Sequence, residues 1–244
     1  MTQPVSSTDR PVALVTGGAR GIGAAITRDL ARDHRVVFTY RGAAAEAQAL
    51  AAELPGSLAL ALAADFADPA APEALIQEVM AAIGRLDVLV NAAGTVEEED
   101  ALTFDMASAE RQMRINALAP ATLISAAGGL MREGGTVVNV TSINATFPPA
   151  GAVTYAASKA ALENYTRGFA KAFGPRGIRV NAVAPGAVER THAPRPEALQ
   201  QAFLNETALG TLATPEDIAQ AVRYLIAAPG VTGVILPVSR GFRL

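Results

Sequence analysis

Short apolar runs alternate along the chain with longer stretches of helical periodicity. Val12–Val15 is one such run, ended by Thr16-Gly17-Gly18, and a helical pattern follows from Gly21 to about Arg32. Arg35–Tyr40 predicts a second strand, and Ala43–Leu54 an alanine-rich helix stopped at Pro55-Gly56. Ser57–Ala63 reads as a third strand, although its Ala/Leu content also suits a helix. Ala70–Ile83 predicts a helix ended by Gly84, Leu86–Val90 a buried-type strand, Asp105–Met131 a long helical region, and Thr136–Thr141 a strand. Val153–Phe173, interrupted only by Gly168, predicts a second long helix. Ile178–Ala184 is a strand closed by Pro185-Gly186, and Thr191–Pro196 a proline-punctuated loop. Pro215–Ala228 predicts a helix with Thr214 as N-cap, Pro215 at its first position and Glu216 and Asp217 in its first turn. Val234–Leu236 is the last short strand.

Strand and helix alternate to the end, and the strands are apolar throughout. That pattern predicts an α/β fold: one doubly wound parallel sheet of about seven strands with helices on both faces. No linker, repeat or low-complexity run divides it, so residues 1–10 read as a flexible leader and 11–244 as a single domain.

Composition narrows the chemistry. The 244 residues are 50% hydrophobic and 18% charged, which fits a packed core and excludes a disordered chain. Lys and Arg total 20 against 23 Asp and Glu, so there is no basic excess to grip nucleic acid. With no cysteine, disulfides, thiolate nucleophiles and iron–sulfur clusters are excluded. His34 and His192 are the only histidines, which argues against a Ser-His-Asp hydrolase and against a metal site. No apolar run reaches the roughly 18 residues of a membrane span, and the N-terminus lacks a signal-type apolar region. A cytoplasmic protein is expected.

The stretch from Thr16 to Gly23 (Thr-Gly-Gly-Ala-Arg-Gly-Ile-Gly) lies between a strand and a helix. Glycines there permit a tight turn and close backbone approach to a pyrophosphate, and the helix N-terminus supplies free N–H groups. An acidic residue ending the second strand would bond the ribose 2′-hydroxyl of NAD, whereas an arginine suits a 2′-phosphate. The strand ends Thr39-Tyr40-Arg41, and Arg20 sits in the glycine turn, so two guanidiniums favour NADP(H). Solvated surface arginines are the bland reading. Asp65 fits an acceptor for the adenine amino group, and fits equally a cap of the turn Asp65–Asp68.

Tyr155 and Lys159, four apart near a helix start, share one face. A phenol with a reference pKa near 10 is a poor acid at neutral pH, but a nearby ammonium stabilises the phenolate at a requirement of about 3–4 kcal/mol. Ser142 stands at the C-terminal end of a buried-type strand, where ligands bind in open α/β sheets.

On these marks the chain resembles the short-chain dehydrogenase/reductase family from about Pro11 to Gly241. The matching features are the glycine turn, Asn91-Ala92-Ala93-Gly94, Asn116, Ser142, Tyr155-x-x-x-Lys159 and Pro185-Gly186. The resemblance implies a Rossmann-type NADP(H)-binding domain. It implies an active tetrad in which Tyr155 protonates the alkoxide and Ser142 bonds the carbonyl oxygen. Lys159 lowers the Tyr155 pKa and holds the nicotinamide ribose, and Asn116 orders a water on the proton path. The implied cofactor residues are Gly17, Arg20, Gly21, Ile22, Gly23, Tyr40, Arg41, Asp65, Phe66, Asn91, Ala92, Gly94, Tyr155, Lys159, Pro185, Gly186 and Val188. The resemblance is greatest to 3-oxoacyl-acyl-carrier-protein reductases and related bacterial ketoreductases, through Thr214–Ala219 and the Tyr40-Arg41 ending. It therefore implies an NADPH-dependent reduction of a small-molecule or carrier-bound ketone by a homodimer or homotetramer. An NAD-linked alcohol dehydrogenase of the same fold and a non-catalytic dinucleotide-binding protein are the alternatives.

Three stretches depart from the family pattern. Thr191 is displaced by about one position from the usual Thr after Pro-Gly, the tail reads Val238-Ser239-Arg240-Gly241, and the stretch before Thr136 is short and glycine-rich. Elsewhere, His34 reads as a helix C-terminal cap, His192 as solvent-facing, and Glu97–Asp100 as a solvated acidic loop. Phe147 and Pro148 fit either a substrate pocket or the core. Arg132, Arg190 and Arg195 are candidates for docking an acidic carrier.

Overall fold

A computed structural model of the chain describes residues 10–54, 59–100, 102–190 and 195–243. The sheet is built from β1 (Val12–Thr16), β2 (Arg35–Tyr40), β3 (Ala59–Ala63), β4 (Val88–Asn91), β5 (Thr136–Val140), β6 (Arg179–Pro185) and β7 (Ile235–Val238). Their order is β3-β2-β1-β4-β5-β6-β7 and every pairing is parallel. The chain winds outward from β1 to β3, then returns to place β4 on the other side of β1. At that reversal the loops after β1 and β4 diverge and leave a crevice at the C-terminal edge.

The period-2 side-chain alternation of the strands explains both helical layers. Ala13, Val15, Val36, Phe38, Val88 and Val90 face one way, into a core shared with α1 (Gly21–Leu30), α2 (Ala44–Glu53) and α8 (Pro215–Ala227). Leu14, Val37, Leu89, Val137 and Val180 face the other way, onto α3 (Ala71–Ile83), α5 (Ala119–Leu130) and α6 (Val153–Phe173). Both faces are dry, which is why the strands read as apolar runs. Among the described residues no helix is long and apolar enough to cross a membrane.

Several expectations need correction. Asp105–Met131 is not one regular helix. Asp105 caps α4 (Met106–Met113), accepting from the backbone N–H groups of Ala107 and Ser108. A π-helical turn over Arg114–Leu118 then joins α4 to α5. Pro120, which has no N–H to give the Asn116 carbonyl, accounts for the break in the regular ladder. A helix not foreseen, α7 (Glu197–Asn205), follows the loop after β6. The last strand starts and ends later than Val234–Leu236. The Pro55-Gly56 stop, the start of the strand placed at Ser57, most of the leader, Thr191 and His192 lie outside the described residues.

Candidate active site

The crevice begins with the glycine turn. Arg20 at the N-cap of α1 supplies no side-chain cap, so the first N–H groups of the helix face the cleft. Gly17 has φ 65°, and a Cβ there would stand 2.8 Å from the Ala93 Cα. A Cβ on Gly23 would stand 2.1 Å from the Gly17 carbonyl oxygen, so the turn closes on the helix only with glycine at that position. A Cβ on Gly21 meets nothing within 4 Å, because it would project into the open cleft. Thr16 Oγ1 accepts from Ala92 N and Ala93 N, both at 3.1 Å, and so fixes the loop after β4 against the turn. Open backbone, free N–H groups and a helix N-terminus together fit a dinucleotide diphosphate.

Beside the turn, a cavity of about 140 Å³ is lined by Gly17, Tyr40, Arg41, Asp65, Phe66 and Gly94. Asp65 Oδ1 accepts from Ala67 N at 3.0 Å, and Asp68 N donates to the Asp65 carbonyl, so Asp65 caps its turn. Arg41 Nη1 is 3.9 Å from Asp65 Oδ1, and Arg20 Nε is 3.3 Å from Glu46 Oε1. Each guanidinium thus faces an exposed carboxylate, a pairing that solvent screens and a phosphate can outcompete.

The larger part of the cleft, about 540 Å³, runs from Arg20, Gly21 and Ile22 to Ser142, Tyr155 and Lys159, and is closed by Pro185, Gly186 and Val188. Ser142 follows β5 and caps a short 3-10 turn (Ile143–Ala145) by accepting from Asn144 N at 3.1 Å. Tyr155 and Lys159 come from the first turns of α6. The buried Lys159 Nζ donates to the Val140 carbonyl at 2.8 Å and sits 5.8 Å from the Tyr155 ring centre.

Burial dominates the electrostatics of this pair. Burial pushes the Tyr155 pKa above that of a free phenol, opposed by a hydrogen bond with Ser142 and by the charge of Arg190. Burial also pulls the Lys159 ammonium down to about 8. Burial thus moves the two groups in opposite directions, the phenol up and the ammonium down.

Asn116, in the π turn, is fully buried. Its Oδ1 accepts from Thr95 N at 2.8 Å, and its Nδ2 donates to the Thr95 carbonyl at 2.8 Å and to Ser158 Oγ at 3.0 Å. Both amide hydrogens are committed, and Pro120 has no N–H to donate to the Asn116 carbonyl. Ser158 Oγ donates in turn to the Tyr155 carbonyl at 2.7 Å, which ties the π turn to α6.

Asn91 is placed differently from the rest. Its side chain lies inside the sheet rather than on the cleft, with Nδ2 donating to Asn139 Oδ1 at 2.8 Å. The acidic loop is not merely solvated. Glu97 pairs with Arg111 and accepts from Ser108, which holds its carboxyl down at about 2. Glu99 Oε1 accepts from Gln112 Nε2 at 2.9 Å, and its other oxygen reaches α6. Phe147 is exposed rather than packed in the core, and His34 is buried with Nδ1 2.6 Å from Asp33 Oδ1. The atypical tail has a clear place. Arg240, at φ 55°, bonds Asp217 at 2.7 and 2.9 Å, and Asp217 closes the capping box of α8. Ser239 then packs under the Pro185-Gly186 turn so closely that a Cβ on Gly186 would stand 2.7 Å from it.

A family model described as enoyl-(acyl carrier protein) reductase matches residues 17–243. The chain is 36% identical over 240 residues to carbonyl reductase family member 4 of Danio rerio, covering 96% of this chain and 98% of that protein. It is 33% identical over 241 residues to the 3-oxoacyl-(acyl-carrier-protein) reductase FabG of Pseudomonas aeruginosa, with 94% and 96% covered. Among solved structures, a blue fluorescent protein from a metagenomic library in complex with NADPH superposes with a TM-score of 0.90 at 39% identity, covering 96% and 98% of the two chains.

Proposed function

The chain belongs to the short-chain dehydrogenase/reductase family, close to 3-oxoacyl-acyl-carrier-protein reductase-like enzymes, and from that premise we propose that it uses NADPH to reduce a ketone to a secondary alcohol. The observation that carries this reading is the meeting of Ser142, Tyr155 and Lys159 with the glycine turn in one cleft. The NADPH bound by the metagenomic relative supports the cofactor, as do Arg20 and Arg41 beside the position of a 2′-phosphate. In this reading residues 11–244 act as one cofactor-binding unit.

NADPH, when bound, would supply the hydride for the carbonyl carbon. The turn Gly17–Gly23 and the N-terminus of α1 would hold its diphosphate, Lys159 its ribose, and Pro185, Gly186 and Val188 its nicotinamide. Ser142 Oγ donates to the carbonyl oxygen, where charge develops. Tyr155, kept protonated by burial, gives its hydroxyl proton to the alkoxide. The Asn116 carbonyl holds a water by which the phenolate is reprotonated.

Half-exposed Leu118, at the end of the π turn, and Leu130, at the end of α5, support the pairing of copies through that layer into a dimer or tetramer, which sedimentation reads. The activity is tested by following NADPH absorbance with a panel of β-ketoesters, quinones and polyketide-like ketones. Tyr155→Phe, which removes one oxygen and keeps the ring, should lower kcat by about 10²–10⁴ with NADPH affinity retained. If the variant kept more than about a tenth of wild-type kcat, Tyr155 would not be the proton donor.

A further inference from the structure

We propose that Arg190 and Arg195 form an anion-binding wall at the substrate end of the cleft, and that the ketone reduced carries a negatively charged group close to its carbonyl. The inference rests on the reductase reading above and names its substrate class.

Both arginines line the same cleft as Ser142, Tyr155 and Lys159. Arg195 is firmly placed. Its Nη1 donates to the Val188 carbonyl at 2.6 Å, and its guanidinium lies 5.1 Å from the Phe203 ring centre. Phe203, on α7, stands edge-on to Phe242 at 5.6 Å and packs with Ile143, Ala187 and Leu212. Among the described residues one of the five Arg195 N–H groups is used. Arg190 stands in the loop after β6, at the position where the family pattern leads one to expect a threonine hydroxyl.

Among the described residues neither guanidinium makes an ion pair. Yet each feels the other. After burial, the charge of Arg190 is what depresses the Arg195 pKa, and the same charge reaches Tyr155. Two like charges held together in a half-dry cleft oppose folding, and an anion between them reverses the sign of that term. Among the described lining residues Glu189 is the one carboxylate, against Arg20, Lys159, Arg190 and Arg195. Arg20 faces Glu46 at the cofactor end and Lys159 is bonded to Val140, so the unmatched positive charge lies at the substrate end. The cofactor diphosphate already has the N–H groups of the glycine turn. An arginine whose field reaches the Tyr155 phenol is placed for a group attached to the reacting ketone.

The test compares a 3-oxo carboxylate with its methyl ester at saturating NADPH. Wild-type kcat/KM should favour the carboxylate by about tenfold or more, as for a charge-assisted contact of about 1.4 kcal/mol. Arg190→Gln should collapse the carboxylate-to-ester ratio towards one, while Arg195→Lys, which keeps the charge, should preserve most of it. An ester favoured by the wild type, or a ratio unchanged in Arg190→Gln, overturns the proposal. NADPH affinity, titrated by nucleotide fluorescence without ketone, separates the other source of negative charge. If it falls about tenfold in Arg190→Gln and both ketones lose equally, the guanidinium serves the cofactor diphosphate and the proposal is wrong. Should neither ketone oxidise NADPH, the reductase reading fails, and calorimetry on the NADPH complex still decides the wall. Tighter binding of the carboxylate that is lost in Arg190→Gln upholds it, and equal binding of the two ketones overturns it.

Discussion

Glu99 Oε2 accepts a hydrogen bond from the backbone N–H of Thr154 at 2.8 Å. A carboxylate from the loop after β4 thereby caps α6, whose own N-cap residue, Ala152, provides no side-chain bond. Because α6 carries Tyr155 and Lys159, the cap fixes the start of the helix that presents both groups to the cleft. Buried Gln112 holds the other Glu99 oxygen, so α4 braces the same contact.

Glu99→Ala should therefore cost about 1 kcal/mol of stability, the usual worth of a helix N-cap. The urea midpoint should fall with an unchanged slope, and kcat should drop because the first turn of α6 frays. Glu99→Gln keeps an acceptor oxygen and should recover part of both losses. An unaltered midpoint in Glu99→Ala would remove the cap from the account.

Glu97 leads to a pH prediction. Arg111 and Ser108 hold its carboxyl at about 2 in the folded chain, below the value of about 4.3 in an unfolded one. A depressed carboxyl contributes stability that is complete above the unfolded value and is lost as pH falls through the folded value. The gap in urea midpoint between wild type and Glu97→Gln should be full at pH 6, narrow below about pH 4.3 and vanish near pH 2. A gap that stayed constant across this range would show that Glu97 acts other than through its charge.

The sheet was legible because each strand is buried on both faces and so appears as an apolar run bounded by glycine or proline. The glycine turn, Ser142, Tyr155 and Lys159 were legible because their chemistry lies in residue type at short spacing. Other features depended on distant partners. Glu97 and Glu99 read as solvated acids because Arg111, Gln112 and Thr154 are far along the chain. α7 is short, follows Pro194 and Pro196 and buries none of its residues fully, so its brief stripe of Leu199, Ala202 and Phe203 did not stand out. The π turn did leave a signal, Pro120 four residues after Asn116. The burial of Tyr155 and Lys159 was not legible, because spacing reports that two side chains share a face, but not how dry that face is.

Cofactor preference should follow Arg20 and Arg41. Replacing both with Ala should lower the NADPH-to-NADH ratio of kcat/KM by tenfold or more, since charge-assisted phosphate contacts contribute about 1.5–3 kcal/mol each before screening. Glu46→Gln should act in the opposite direction, because it frees Arg20 from the carboxylate at 3.3 Å. An unchanged ratio in the double variant would place the 2′-phosphate elsewhere.

Lys159 gives the sharpest kinetic expectation. Its ammonium, brought down to about 8 by burial, is lost as pH rises through that value. The phenol of Tyr155 is shifted the other way, upward, by burial. The two groups therefore titrate in separate windows, and a falling limb of kcat for ketone reduction near pH 8 belongs to Lys159. Lys159→Arg keeps a cation whose pKa exceeds 12, so its limb should move to higher pH even if the bulkier guanidinium lowers the plateau. The measurement is kcat at saturating NADPH and ketone from pH 6 to 10.5, for wild type and variant. A wild-type profile flat through pH 9.5, or a limb that stays near 8 in Lys159→Arg, would mean that turnover does not depend on the Lys159 charge.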